Sequence, residues 1–136
     1  MLVLLMDDQD ERHDLVEKYL SKAGHKVLHS FSAPEALELI STCPNRIGLA
    51  LLDHDLQDIV VEDNGRKYER HGVWFVREMF ATIPKDRLPA EFIVHSWNID
   101  GAKNMVADLR KQEQIATAMS FCGDMLTQLV YRLMPQ

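Results

Sequence analysis

Apolar positions in this chain fall into short blocks of two kinds, and the two kinds alternate. Leu2–Met6 is an unbroken apolar run with no helical period, stopped by Asp7-Asp8. A run so short and uniform suits a central strand buried on both faces. From Asp10 to Ala23 the residues Leu15, Val16, Tyr19, Leu20 and Ala23 recur at helical spacing, and Gly24 supplies the left-handed position that ends the helix. His25–Phe31 predicts a second strand. Ser32-Ala33-Pro34-Glu35 reads as a capping box, the Ser32 hydroxyl taking a first-turn amide while Glu35 reaches back. Ala36, Leu37, Leu39 and Ile40 carry this second helix until Cys43-Pro44-Asn45 breaks it. Ile47–Leu52 then repeats the uniform apolar pattern and again ends on acid, in Asp53-His54-Asp55.

Alternation of this kind predicts βαβ crossovers and a parallel sheet. The pattern then loosens into a polar insert, Leu56–His71. Within it, Ile59-Val60-Val61 followed by Asn64-Gly65 predicts a short ribbon with a type I′ turn near the tip of the third strand, a disordered loop being the alternative. Val73, Val76, Met79 and Phe80 mark a third helix, and Phe92-Ile93-Val94 a fourth strand running into His95-Ser96. Ala102, Met105, Val106 and Leu109 mark a fourth helix. Thr117–Phe121 is a weak fifth strand, and Met125, Leu126, Leu129, Val130 and Leu133 a closing helix. The expected fold is α/β and flavodoxin-like: a doubly wound, five-stranded parallel sheet in the order 2-1-3-4-5, with an insert after strand three and residues 1–136 in one domain.

Composition changes this picture little. Of the 136 residues 46% are hydrophobic and 26% charged, ordinary for a soluble globular protein. No apolar run approaches the ~20 residues of a membrane-spanning helix. The opening apolar block lacks a basic leader and reads as a buried strand rather than a signal peptide, which predicts a cytoplasmic protein. Cys43 and Cys122 lie far apart, outside any CxxC pair, and read as structural thiols. The net charge of −6 argues against broad binding to duplex nucleic acid, which needs basic surface. It leaves room for a phosphate-bearing small molecule or an RNA end, provided a bound cation reverses the local sign.

Chemistry in an open parallel sheet belongs beyond the carboxyl ends of the strands, where the strand order reverses. Those ends carry Asp7-Asp8, Asp53-His54-Asp55 and His95-Ser96-Trp97-Asn98. Clustered carboxylates stay ionised together only around a cation, or when one takes a proton. Mg²⁺ held by Asp7, Asp8 and Asp53 is the natural candidate; helix capping is the plainer reading of Asp7-Asp8. His54 and His95 are candidate catalytic groups, since a pair of imidazoles can act as base and acid across one phosphorus. Strand alternation nevertheless points Asp53 and His54 to opposite sides unless the backbone bends. Arg12, in the first turn of helix one, either reaches a bound phosphate or lies in solvent; Trp97 either stacks on a base or packs under its loop. His13, His25 and His29 have no such placement, whereas His71 can swing in with the insert.

These residues carry a family resemblance. Asp7-Asp8, Asp53 and Ser96, with SAPEALELI in helix two, resemble the response-regulator receiver domain over nearly the whole chain. That resemblance implies Mg²⁺ on the acids, a phosphoryl group accepted by Asp53, and Ser96 on its oxygen. The chain departs from the pattern in having no lysine after Lys111, in its insert, and in His54 and His95. The strings LLDHDL and VHSWNIDGAKNM are similar to cyclic-phosphate-processing receiver domains. This second resemblance falls on Asp7, Asp8, Asp53, His54, Asp55, His95, Ser96 and Asn98. It implies hydrolysis of 2′,3′-cyclic phosphates or RNA cyclic-phosphate ends, with His54 and His95 catalytic and Asp55, Ser96, Asn98 and Arg12 on the substrate. Three other readings stay open: a non-catalytic receiver that regulates a protein partner, a receiver phosphorylated on Asp53 despite the missing lysine, and a haloacid-dehalogenase-type phosphatase. The last ranks lowest, because Leu56-Gln57 follows Asp55 where that family has Thr or Val, and the motif sits late in the chain.

Overall fold

The computed structural model describes residues 1–96 and 98–133. Among the described residues the strands and α-helices follow in the order β1 (Leu2–Met6), α1 (Asp10–Lys22), β2 (Lys26–Ser30), α2 (Ala33–Thr42), β3 (Leu49–Asp53), β4 (Ile59–Val61), β5 (Lys67–Glu69), α3 (Gly72–Thr82), β6 (Glu91–His95), α4 (Ile99–Lys111), β7 (Ile115–Met119) and α5 (Gly123–Arg132), with a short 3-10 turn at Lys85–Arg87. The main sheet is wholly parallel and ordered β2-β1-β3-β6-β7. Because β4 and β5 form a separate ribbon, β6 and β7 are the fourth and fifth sheet strands, and the order is the expected 2-1-3-4-5.

Side-chain alternation divides the core between the two sheet faces. Leu4, Met6, Ala50, Leu52, Phe92 and Val94 point to one face, where α2, α3 and α4 cover them with Ile40, Phe75, Met79 and Leu109. Val3, Leu5, Leu49, Leu51 and Ile93 point to the other, under Val16 and Leu20 of α1 and Met125, Leu126 and Leu129 of α5. Burial on both faces explains why the strand runs are apolar without alternation. Each large side chain so buried contributes about 1.5–3 kcal/mol.

Helix ends follow local chemistry. Ser32 Oγ accepts the Glu35 amide at 3.3 Å, one half of the expected capping box. Gly24, at φ +87°, lies in the left-handed region just past α1. The insert does form an antiparallel ribbon, pairing Ile59 with Glu69 and Val61 with Lys67. Its turn is not the two-residue type I′ expected from Asn64-Gly65. The Gly65 amide donates to the Glu62 carbonyl at 2.9 Å and the Glu62 amide to Arg66 at 2.8 Å, so three residues make the bend. Gly65 alone takes the left-handed position (φ +81°), and the Asn64 side chain accepts the Arg66 amide at 2.9 Å. At the ribbon's base Arg70 grips Asp58 (Nε to Oδ2, 2.7 Å) and lies over the Trp74 ring of α3. Both cysteines are free thiols. Among the described residues no helix is long and apolar enough to cross a membrane.

Candidate functional site

The alternation that splits the core also splits the strand tips. In register, Met6 lies beside Leu52, and Asp53 beside His95. Asp7 continues the parity of Val3 and Leu5, Asp53 that of Leu49 and Leu51, and His95 that of Ile93, so all three turn to the α1–α5 face. They meet there, buried: Asp7 and His95 are 0% exposed and Asp53 1%. His95 Nε2 donates to Asp7 Oδ2 at 2.7 Å, which sets the proton on Nε2 because a carboxylate only accepts. Arg12, from α1 on the same face, places Nη1 3.2 Å from Asp7 Oδ2 and 3.5 Å from Asp53 Oδ2. Its guanidinium lies 5.2 Å from the centre of the Phe121 ring, and Arg12, Ser96, Ser120 and Phe121 line a narrow crevice above the acids. Arg12 is thus held over the acids, with a side chain only 16% exposed, rather than spread in solvent.

The two buried acids are driven apart. For Asp7, burial acts upward, but the His95 hydrogen bond and charge, the Gln9 amide and Arg12 together hold the carboxyl below its ordinary range. For Asp53, burial dominates; the neighbouring Asp7 charge adds to it, against the Asp55 amide, His95 and Arg12, and the carboxyl is pushed up to about 6. A carboxyl at that value, at a strand tip, is suited to carry a proton during catalysis near neutral pH.

The other parity makes a second half-site. His54 turns to the α3–α4 side, opposite Asp53, as alternation requires. Its Nδ1 lies 3.0 Å from Asp55 Oδ1, and the Ser96 hydroxyl donates to Asp55 Oδ2. Burial again acts upward on Asp55, but these two bonds and the His54 charge hold it below the usual carboxylate range. Asp55 therefore orients the imidazole and fixes its Nδ1 proton. The ring lies flat on Gly101: a Cβ there would sit 2.6 Å from Cε1 and 2.7 Å from both ring nitrogens. A Cβ on Gly72 would sit 2.9 Å from His54 Cα and closer still to the Met105 side chain. His71, the N-cap of α3, stacks on His54 with centroids 5.1 Å apart and accepts the Trp74 amide on Nδ1. Burial, then the charge of His54, lowers its pKa.

The sequence-derived candidates thus separate into two groups. Asp7, Asp53, His95 and Arg12 meet on one side; His54, Asp55 and Ser96 meet on the other. The two candidate catalytic rings, His54 and His95, share no contact among the described residues. Asp8 stands on the rim, its Oδ2 taking the Gln57 amide at 3.4 Å. Asn98 caps α4, its Oδ1 accepting the Gly101 amide at 2.9 Å. Trp97 lies outside the described residues. Sequence reasoning passed over Gly72, Gly101 and Phe121, and also His13, which bonds the Asp7 carbonyl through Nε2 (2.8 Å) and His29 through Nδ1 (2.7 Å). His29 in turn reaches Glu17 at 2.9 Å, a buttress under the β1 tip. A helical i, i+4 reading of His13 and Glu17 places both on one face of α1, but pairing them with His29 needs the β1–β2 register.

Asp7, Asp53 and His95 each offer one ligand atom, all within 4.8 Å of one another. Two carboxylates suit Mg²⁺ or Mn²⁺, and His95 joins them as a ligand only by giving up the Nε2 proton it donates to Asp7. The donor set therefore fits a divalent cation, and it already attracts a positive group in Arg12. A larger apolar groove of about 400 Å³, lined by Tyr19, Lys22, Val130 and Tyr131, lies between α1 and α5, but among the described residues no acid or imidazole lines it.

Comparison with solved structures agrees with this architecture. The chain is 26% identical to the receiver domain of NtrX from Brucella abortus, covering 96% of this chain and 95% of that one, with a TM-score of 0.63. A response regulator receiver protein from Pseudomonas putida is similar in fold at 21% identity and a TM-score of 0.67, with the same coverage. One from Clostridium thermocellum, at 15% identity, gives 0.65 over 96% and 91% of the two chains. No curated protein matches in sequence. The family model of the cyclic-phosphate processing receiver domain matches residues 2–111, which span both halves of the site except Ser120 and Phe121. With its receiver topology, its paired acids and its two tip histidines in place, the chain belongs to the cyclic-phosphate processing receiver domains.

Proposed function

We propose that this chain hydrolyses a cyclic phosphate ester, of the 2′,3′-cyclic nucleotide or RNA-end type, at the tips of β1, β3 and β6. One observation carries the reading: two half-sites of opposite parity, an acid–imidazole cluster with an arginine and an Asp55-oriented His54, flank the same strand tip. Asp7 and Asp53 would hold a divalent cation, with Asp8 on the rim; when bound, the ion offsets the charge of a phosphate beside the acids.

The chain's own groups supply the rest. Water adds to phosphorus and gives its proton to the Asp53 carboxylate; one ester P–O bond breaks, and a protonated His54 gives the leaving oxygen its proton. Asp55, itself bonded by Ser96, holds the Nδ1–H of His54, which leaves Nε2 as the nitrogen that passes the proton. His95, wholly buried with Nε2 on Asp7, acts as a positioning residue for that acid. Arg12 and the capped amino end of α4 attract the phosphate oxygens. Such chemistry suits a cytoplasmic protein meeting phosphate-bearing small molecules or RNA ends, not duplexes or membranes.

The test is a hydrolysis screen against 2′,3′-cyclic nucleotides and cyclic-phosphate-ended RNA, with and without Mg²⁺ or Mn²⁺. Turnover that needs the metal and falls at least about a hundredfold in both His54→Ala and Asp53→Asn supports the mechanism. Silence across the panel from folded protein refutes it. The result would then favour a regulatory module, for which the exposed Ile59 and Val61 of the ribbon (65% and 60% exposed) offer a partner surface.

A further inference from the structure

We propose that Arg12 is an exchangeable counter-cation, its guanidinium competing with a divalent metal ion for the same carboxylate oxygens of Asp7 and Asp53. The inference deepens the phosphate-site reading and rests on it only for the identity of the site.

Oxygen assignments carry the argument. Asp7 Oδ1 accepts the Gln9 amide and Asp53 Oδ1 the Asp55 amide, at 2.8 and 3.0 Å. The Oδ2 atoms are the ones already turned to cationic or N–H groups: Arg12 Nη1 lies within 3.5 Å of both, and Asp7 Oδ2 also takes the His95 Nε2–H at 2.7 Å. A metal on these oxygens must therefore displace the guanidinium. Arg12 cannot relieve the repulsion by losing a proton, because a guanidinium stays charged. It can do so by moving: the side chain leaves the first turn of α1, lies against Phe121, and has rotatable bonds to spare. The crevice beside it is lined by the Ser96 and Ser120 hydroxyls and the Phe121 ring, a setting in which a displaced guanidinium meets an incoming anion. The chain carries no lysine after Lys111, so β7 and α5 bring no ammonium to this crevice. Arg12 thus plays two parts in turn, neutralising the acids and then the phosphate.

Competition for one site is reciprocal, so removing the guanidinium must strengthen metal binding. The experiment is calorimetric titration of Mg²⁺ and of Mn²⁺ into the wild-type chain, Arg12→Gln and Arg12→Lys, together with the Arg12 Nε–H resonance of the wild-type followed by NMR during the same titration. Expected is binding about tenfold tighter in Arg12→Gln, with Arg12→Lys near wild type. The Arg12 resonance should shift in step with metal saturation. Equal or weaker binding by Arg12→Gln, binding by neither protein, or an Arg12 resonance unmoved at saturation overturns the proposal. If Arg12→Gln does not fold, the wild-type resonance still decides. None of these readouts depends on turnover, so failure of the competition and failure of the hydrolytic reading are separately visible.

Discussion

Asp53 makes the sharpest prediction, because its perturbation has a sign. The carboxyl sits at about 6 in the folded chain against an ordinary 3.8, with burial as the main cause. An unfolded chain loses this proton near the ordinary value while the folded chain keeps it, so the stabilisation is fully present below the ordinary value and is lost as pH rises through about 6. A shift of about two units corresponds to about 3 kcal/mol across the whole window. At about pH 5, one unit below the folded value, on the order of 1 kcal/mol of it persists, and at about pH 8 none does. Asp53→Asn is uncharged throughout and lacks this dependence. Urea denaturation of both proteins in chelator should show the variant gaining on the order of 1 kcal/mol on wild type between those two pH values. Titrations common to both proteins cancel in that difference, and a lost contact with Arg12 displaces the variant's curve without changing its slope. Parallel curves, or a gain toward acid, would refute the assignment of the raised carboxyl to Asp53.

Other perturbations test the surrounding geometry. Gly101→Ala should displace the His54 ring, since its Cβ would sit 2.6 Å from Cε1, and should abolish turnover; alanine's better helix propensity, about 1 kcal/mol, should keep the midpoint of urea unfolding nearly unchanged. His13→Ala removes the bond to the Asp7 carbonyl and a 4% exposed ring, and should cost about 2–3 kcal/mol by the same assay. Arg70→Ala breaks a half-exposed ion pair and the contact over Trp74, so global stability should change by no more than about 1 kcal/mol. Hydrogen exchange of the Val60 and Tyr68 amides should accelerate in that variant, and unaltered protection would contradict the clasp.

The elements themselves were legible because fully buried parallel strands leave no ambiguity of pattern: Leu2–Met6 and the run into Asp53 are apolar without interruption until an acid stops each. The weak fifth strand also exists, although its residues, Ile115–Met119, begin earlier than the apolar pattern suggests because Ile115 is exposed at an edge strand. The acid cluster was half legible. Asp7 and Asp53 announce themselves at strand ends, but whether His95 or Ser96 joins them depends on register, and one residue of slip inverts the answer. With Asp53 opposite His95, the imidazole enters the cluster and Ser96 turns to Asp55. Gly101 could not be read as functional, since a glycine near a helix start signals nothing until a ring is found lying on it. The ribbon turn was misread because Asn64-Gly65 also fits a three-residue bend in which only Gly65 needs positive φ.

The most direct test of the central claim is amide NMR of the full chain titrated with 2′,3′-cyclic AMP in the presence of Mg²⁺. The account predicts shifts concentrated at Asp7, Asp8, Asp53, His54, His95 and the first turn of α4, lost when the metal is chelated. Shifts confined to the α1–α5 groove, or a spectrum unchanged at millimolar ligand, would contradict it.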